Sequence, residues 1–386
     1  MKTCPLWLAV PFACAVHAQT NLAPPKLNLV SPLDYQVFQR QSREEGNITV
    51  ECALEAPPRA SLTNLDGLEA RLTGLSAAGP LPGDWRPLPF DNRVRRFRAE
   101  LAAPAGGWYR LELRLTRSGT NLDEAVVDHV GVGEVFVVAG QSNAANHGEG
   151  RQEAKNPLVV EFGGGHWQPA KDPEAGASGK GGSFMPAFGD AMAGEFKVPI
   201  GLVAIAEGST SVREWLPPND AVAAPPDTGR NVICTGSNSW VSAGDLFERI
   251  TTVEKEFGPR GFRAVLWHQG ESDSHEPGDR QITPALYRQY LERVIEASRE
   301  AAGWRVPWFV AQASYHSPGD RGSPELRAAQ AAVVADGIAL AGPNTDELGP
   351  EFRQGNGTGI HLNALGLQRH GRLWAQIVGA WLERQL

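Results

Sequence analysis

Residues 134–144 read Glu134-Val135-Phe136-Val137-Val138-Ala139-Gly140-Gln141-Ser142-Asn143-Ala144. Five residues of β-branched, aromatic and small apolar character (after one acid) end abruptly at a glycine. An unbroken apolar run of strand length fits a strand buried on both faces, the habit of parallel sheets. Three more such runs follow, at residues 200–206, 263–267 and 308–313. Helical periodicity fills the gaps at 243–257, 284–302 and 325–336. The chain closes with 364–386, where Leu373, Trp374, Ile377, Val378, Trp381 and Leu382 share one helical face. Strands alternating with helices predict an α/β/α sandwich over residues 133–386. The Gly-rich segment 163–182 is expected to be a long surface loop.

Upstream of Gly133 the pattern differs. Short alternating runs at 47–53, 94–101, 108–115 and 125–132 are separated by Pro-, Gly- and Ala-rich stretches at 78–83 and 104–107. That spacing predicts a smaller all-β sandwich, immunoglobulin-like, over residues 19–132. It carries no catalytic spacing and reads as an accessory domain. A chain of 386 residues accommodates both units.

Residues 1–18 read as a signal peptide. Lys2 is followed by an apolar run at 6–16 and by Val16-His17-Ala18, with Gln19 as the first mature residue. The expectation is an exported protein, secreted or periplasmic. No run reaches the ~18–20 apolar residues that a membrane span needs. Cys4 and Cys14 leave with the leader. Cys52 and Cys234 remain, either as one disulfide between the two domains or as two buried thiols. A net charge of −8 argues against a nucleic-acid partner.

In open α/β sheets, ligands bind beyond the carboxyl ends of the strands. Four segments occupy such positions: Gly140-Gln141-Ser142-Asn143, Glu207-Gly208-Ser209-Thr210, His268-Gln269-Gly270-Glu271-Ser272-Asp273, and Gly359-Ile360-His361-Leu362-Asn363 before the last helix. They supply a hydroxyl, flexible backbone donors, an amide with carboxylates, and an imidazole, the inventory of acyl transfer. A serine after a strand more often caps a helix, and a lone histidine is more often structural. His268 is the rival to His361. No G-x-S-x-G run, H-E-x-x-H run, cysteine cluster or Gly-Lys-Ser/Thr loop is present, so neither metal nor nucleotide cofactor is expected.

Together GQSNA, WHQGESD and GIHLNALG, in this order, resemble the sialate O-acetylesterase-like branch of the SGNH hydrolases over residues 133–386. The resemblance implies a flavodoxin-like α/β/α fold with Ser142 as nucleophile and His361 as general base. It implies an oxyanion hole built from the Ser142 N–H, the Gly208 N–H and the Gln269 amide, with the Ser209 N–H as substitute for Gly208. The aspartate usual three residues before the histidine is Thr358 here. Either the pair acts as a dyad or another carboxylate completes a triad: Glu271 by resemblance, ahead of Asp346 and Asp273. Trp215 and Trp240 are candidates to stack on sugar rings, and Arg213 to contact an anionic sugar. The expected activity is removal of O-acetyl groups from a polysaccharide or sialic acid. The alternatives are a lipase or thioesterase acting on longer acyl chains, and a catalytically silent glycan-binding protein.

Overall fold

The computed structural model describes residues 25–55, 65–76, 78–91, 94–226, 229–276, 278–316 and 322–386. The expected signal peptide lies outside the described residues. The chain is mixed α/β, built on one large mixed sheet. Its central strand, β1, is Thr120–Gly140. The others at its parallel end are β2 (Val159–Gly163), β3 (His166–Pro169), β4 (Ile200–Ala204), β5 (Ala264–His268), β6 (Trp308–Gln312) and β7 (Leu340–Asn344).

The order is β3-β2-β4-β1-β5-β6-β7, parallel throughout except for the β2–β3 hairpin at one edge. Without that hairpin the strands run second, first, third, fourth, fifth, the flavodoxin-like order. In that order the topological switch point falls between the first and third strands. Here those are β1 and β5, so the loops leaving their carboxyl ends face each other across the crevice.

The alternation of side chains along β1 builds two cores. Val135, Val137 and Ala139 join Val203, Val265, Trp267, Trp308 and Val310 under helices α2 (Asp245–Phe257), α4 (Pro284–Ala302) and α5 (Pro324–Ala335). Phe136 and Val138 join Ile200, Leu202, Leu266 and Phe309 under α1 (Met185–Phe196) and the C-terminal helix Ala364–Leu382. Each such side chain, fully buried, stabilises the fold by ~1.5–3 kcal/mol. The strand is apolar on both faces because both are covered.

The amino-terminal part departs from the expected boundary. The antiparallel strand Gly106–Arg117 pairs with the first half of β1 and with Gly67–Thr73. A three-stranded sheet of Lys26–Ser31, Glu45–Glu55 and Arg96–Pro104 shares an apolar cluster with them, including Ile48, Val50, Leu111 and Leu113. The chain does not break at Gly133. One continuous strand runs through this point from antiparallel to parallel partners, and Gly133 admits the close passage of Pro199, whose carbonyl oxygen would lie 1.9 Å from a Cβ there. At the crossing point Glu134, wholly buried, meets Arg40 Nε and Arg263 Nε, each at 2.6 Å, and Gln39 Nε2 at 2.9 Å.

Of the two alternatives for the cysteines the structure has free thiols, but only Cys52 is buried and Cys234 is exposed. Burial pushes the Cys52 thiol up to about 12. Among the described residues no helix is long and apolar enough to cross a membrane.

Glu254 on α2 is a lone buried carboxyl, both oxygens without a hydrogen-bond partner. Burial raises it to about 8. Its unfolded-state counterpart ionises near 4.5. The folded state therefore holds the extra proton between these values, and stability falls as pH rises through that window. Glu254→Gln removes this slope. The variant is expected to melt several degrees above wild type at pH 9 and within a degree or two at pH 5. Parallel melting curves at both pH values would refute the assignment.

Candidate active site

Glycine decides where Ser142 stands. Gly140 ends β1 at φ +127°, and a Cβ there would lie 2.0 Å from the His268 carbonyl oxygen. Only glycine lets β1 and β5 approach so closely and then turn. Ser142 opens a single 3-10 turn, Ser142–Ala144, and is 4% exposed. As the first residue of that turn its N–H has no intrahelical acceptor.

Both neighbours of Ser142 are ties. The Gln141 N–H donates to the His268 carbonyl at 2.9 Å. Gln141 Oε1 accepts from the Gly270 N–H (3.2 Å), the Ser272 N–H (3.1 Å) and Gln269 Nε2 (3.2 Å). From β4's end, the Glu207 N–H donates to the Gly140 carbonyl at 2.9 Å. On the other side, Asn143 Nδ2 donates to Glu271 Oε1 at 2.8 Å and lies 3.5 Å from the Ile360 carbonyl. The serine is thus stitched to all three other segments singled out in the sequence.

Glu271 opens the short helix α3 (Glu271–Ser274) and is 2% exposed. Its Oε1 also accepts from His268 Nε2 at 3.0 Å. Behind them His268 Nδ1 lies 3.1 Å from His370 Nε2, which accepts from Trp374 Nε1 at 2.9 Å. Burial alone pushes Glu271 up, but the charge of His268 and hydrogen bonds from His268 and Asn143 outweigh it and hold the carboxyl at about 2. The carboxylate is therefore ionised, but it is not hydrogen-bonded to His361. It reaches that ring only through its field.

His361 sits half-buried on a closed loop. Arg353 and Leu362 form an antiparallel bridge. The buried Arg353 guanidinium donates to the carbonyls of Leu348 (2.8 Å), Thr345 (3.1 Å) and Ile360 (2.7 Å). Ring Nδ1 of His361 faces Gln354 Nε2 at 3.1 Å. Thr358 turns its hydroxyl to the Gly355 carbonyl at 2.7 Å, away from the imidazole. His361 is held down to about 4, first by burial and then by the nearby His147 charge; Glu271 pulls it up and Arg353 pushes it down. At neutral pH it is an uncharged base.

His147, which the sequence reading passed over, lies with its ring centroid 5.3 Å from that of His361. Its Nε2 is 3.2 Å from Ser178 Oγ, and Ser178 Oγ accepts the Gly208 N–H at 2.7 Å. The expected oxyanion donor of Gly208 is therefore already engaged. A Cβ on Gly208 would strike His147 Nε2 at 2.5 Å, so the glycine makes room for that ring.

Three sequence expectations are corrected. Gln269 is wholly buried, and its Nε2 donates to Asp273 Oδ2 (2.6 Å), the Thr210 carbonyl (3.0 Å) and Gln141 Oε1. Its amide is consumed in holding the turns together and is not aimed at substrate. Trp215 is 0% exposed, edge-on to Trp267 with centroids 5.3 Å apart, and donates from Nε1 to Thr210 Oγ1. Arg213 is equally buried, donating to Ser211 Oγ and to the Ala224 and Arg280 carbonyls. Neither can meet a sugar. Asp273 is paired with Ser211 and Val212 beside Arg213, and Asp346 with Ser314 and Arg327, so neither is bonded to His361. Trp240 is half-buried on the strand Ser239–Ser242, opposite Cys234 and Val222.

Ser142 thus stands at the switch point of the sheet, with Asn143 beside it reaching toward the loop that carries His361, and the chain is a carboxylic ester hydrolase. Residues 132–378 match the family described as carbohydrate esterase, sialic acid-specific acetylesterase, and the chain belongs to it. Its fold is similar to that of a carbohydrate acetylesterase from Xanthomonas citri, at 19% identity and TM-score 0.53, over 90% of this chain and 73% of that one. A protein from Arabidopsis thaliana aligns at 22% identity and TM-score 0.46, over 65% of this chain and 98% of its own. No curated protein matches the chain.

Proposed function

We propose that this chain removes O-acetyl groups from a carbohydrate through an acetyl-enzyme on Ser142. The observation that carries this reading is the tie from Asn143 to the Ile360 carbonyl, which sets the residue after Ser142 against the residue before His361. His361 takes the hydroxyl proton as Ser142 Oγ attacks the acetyl carbonyl carbon. The resulting tetrahedral oxyanion meets the Ser142 N–H. Collapse expels the sugar alkoxide, which takes the proton from His361. Water then attacks the acetyl-serine with the same imidazole as base, releasing acetate. Glu271 supports the geometry through Asn143. An SGNH-type catalytic unit and a β-sandwich accessory unit that share strand β1, with export directed by residues 1–18, belong to the same proposal.

Acetate release from acetylated xylan, pectin and O-acetylated sialic acid tests it, with p-nitrophenyl acetate and octanoate run in parallel. Rapid cleavage of octanoate with no release of acetate would reject the acetylesterase reading in favour of a lipase. The pH profile follows from His361. Protonation removes the base, so kcat/KM is expected to hold from pH 8 down to about pH 5 and to fall with a limb near 4. A limb near the ordinary histidine value would show that the ring is not desolvated in solution.

A further inference from the structure

We infer that Gln354 is the positioning residue that orients His361 in place of the missing carboxylate; this rests on the assignment of His361 as base. Gly355 and Asn356 both take left-handed conformations, at φ +60° and +58°, folding the segment back on itself. The Gln354 N–H then donates to the His361 carbonyl at 2.9 Å, and the Gly359 N–H donates to the Gln354 carbonyl at 3.0 Å. Backbone and side chain of one residue therefore grip His361 at two points. Gly359 makes space for this: a Cβ there would lie 2.3 Å from Gln354 Cγ.

The chemistry of the contact sets the requirement. A general base must keep Nε2 bare to receive the Ser142 proton, so its proton must sit on Nδ1. An amide presents its NH2 or its carbonyl oxygen to the ring by a half-turn about its last bond. Only the carbonyl orientation accepts the Nδ1 proton and fixes the productive tautomer. Gln354, whose Nε2 stands 3.1 Å from Nδ1, meets that requirement without a charge once its amide makes this half-turn and brings Oε1 to the ring. The charged or titratable groups acting on the ring are then His147 from beyond β1, Glu271 from α3 and Arg353 from its own loop. None of these is hydrogen-bonded to Nδ1.

The test compares Gln354→Ala and Gln354→Glu in the full chain, with acetate release measured across pH. Gln354→Ala is expected to lower kcat by ~10²-fold or more with KM within about twofold, since the wrong tautomer alone is costly in related catalytic arrangements. Gln354→Glu is expected to recover activity and to move the acid limb of kcat/KM upward by about 1–3 pH units, as a carboxylate beside an imidazole does. Gly359→Ala, which crowds the Gln354 side chain and leaves its amide in place, is expected to lower kcat in wild type and to add little in Gln354→Ala. An Ala variant within twofold of wild-type kcat, or a Glu variant whose limb does not move, would overturn the inference. Failure of the underlying reading looks different: His361→Ala would then keep wild-type activity whatever stands at 354.

Discussion

Replacing Ser142 by alanine is expected to abolish acetate release, by ~10⁴–10⁶-fold in kcat, the range seen when a serine nucleophile is removed. Stability should barely move. Among the described residues the Ser142 hydroxyl makes no side-chain hydrogen bond, and the residue lies in a turn held by its neighbours' amides. A melting temperature within ~2 °C of wild type, together with loss of fluorophosphonate labelling, separates a chemical role from a structural one. A variant retaining a tenth of the activity would transfer the nucleophile elsewhere, whereas a wild type that neither releases acetate nor takes the probe would leave the fold as a glycan binder.

The largest effect on stability is expected at Glu134. Its carboxylate is wholly buried between Arg40, 2% exposed, and Arg263. Removing one partner of a buried ion pair strands the other charge, at a cost of ~3–5 kcal/mol. Glu134→Ala should therefore lower the free energy of unfolding by that amount in urea titrations. Arg40→Met combined with Glu134→Leu should recover part of it, because no uncompensated charge is left between those two positions. A loss below ~1 kcal/mol in the single variant would mean that water reaches the arginines.

The fold was legible where physical chemistry is local. β1, β4, β5 and β6 announced themselves as unbroken apolar runs, and α4 begins and ends where its periodicity does, at Pro284–Ala302. β7 did not, because Leu340-Ala-Gly-Pro-Asn344 reads as a turn and becomes a strand only by pairing with β6. α1 was missed because Pro186, Gly189 and Gly194 dilute its pattern; Gly189 is there because a Cβ would lie 2.3 Å from Val159. The segment expected as one long loop holds the β3 strand.

The site was legible as a list of segments, not as a set of partners. Motif and strand-end position located Ser142, Glu271 and His361, but which side chain bonds which depends on contacts across more than a hundred residues. Asn143 to Glu271 is one such contact. Gln269 was a candidate donor through the resemblance alone, and its burial and hydrogen bonds give the amide a different task. Trp215 and Arg213 follow a strand end as a substrate contact would, yet the chain folds back over them. Gln354 carried no signal of its own, since seven residues and a left-handed turn separate it from His361.

The continuity of β1 has a consequence for modularity. A strand that is antiparallel in its first half and parallel in its second belongs to both parts of the molecule at once. The accessory part is therefore not a detachable cassette: excising the catalytic part at residue 133 would sever the middle of a strand and leave Glu134 without Arg40. Unfolding should run as one cooperative transition in calorimetry. Gain or loss of the β-region in a descendant chain would have to rebuild the strand that delivers the serine.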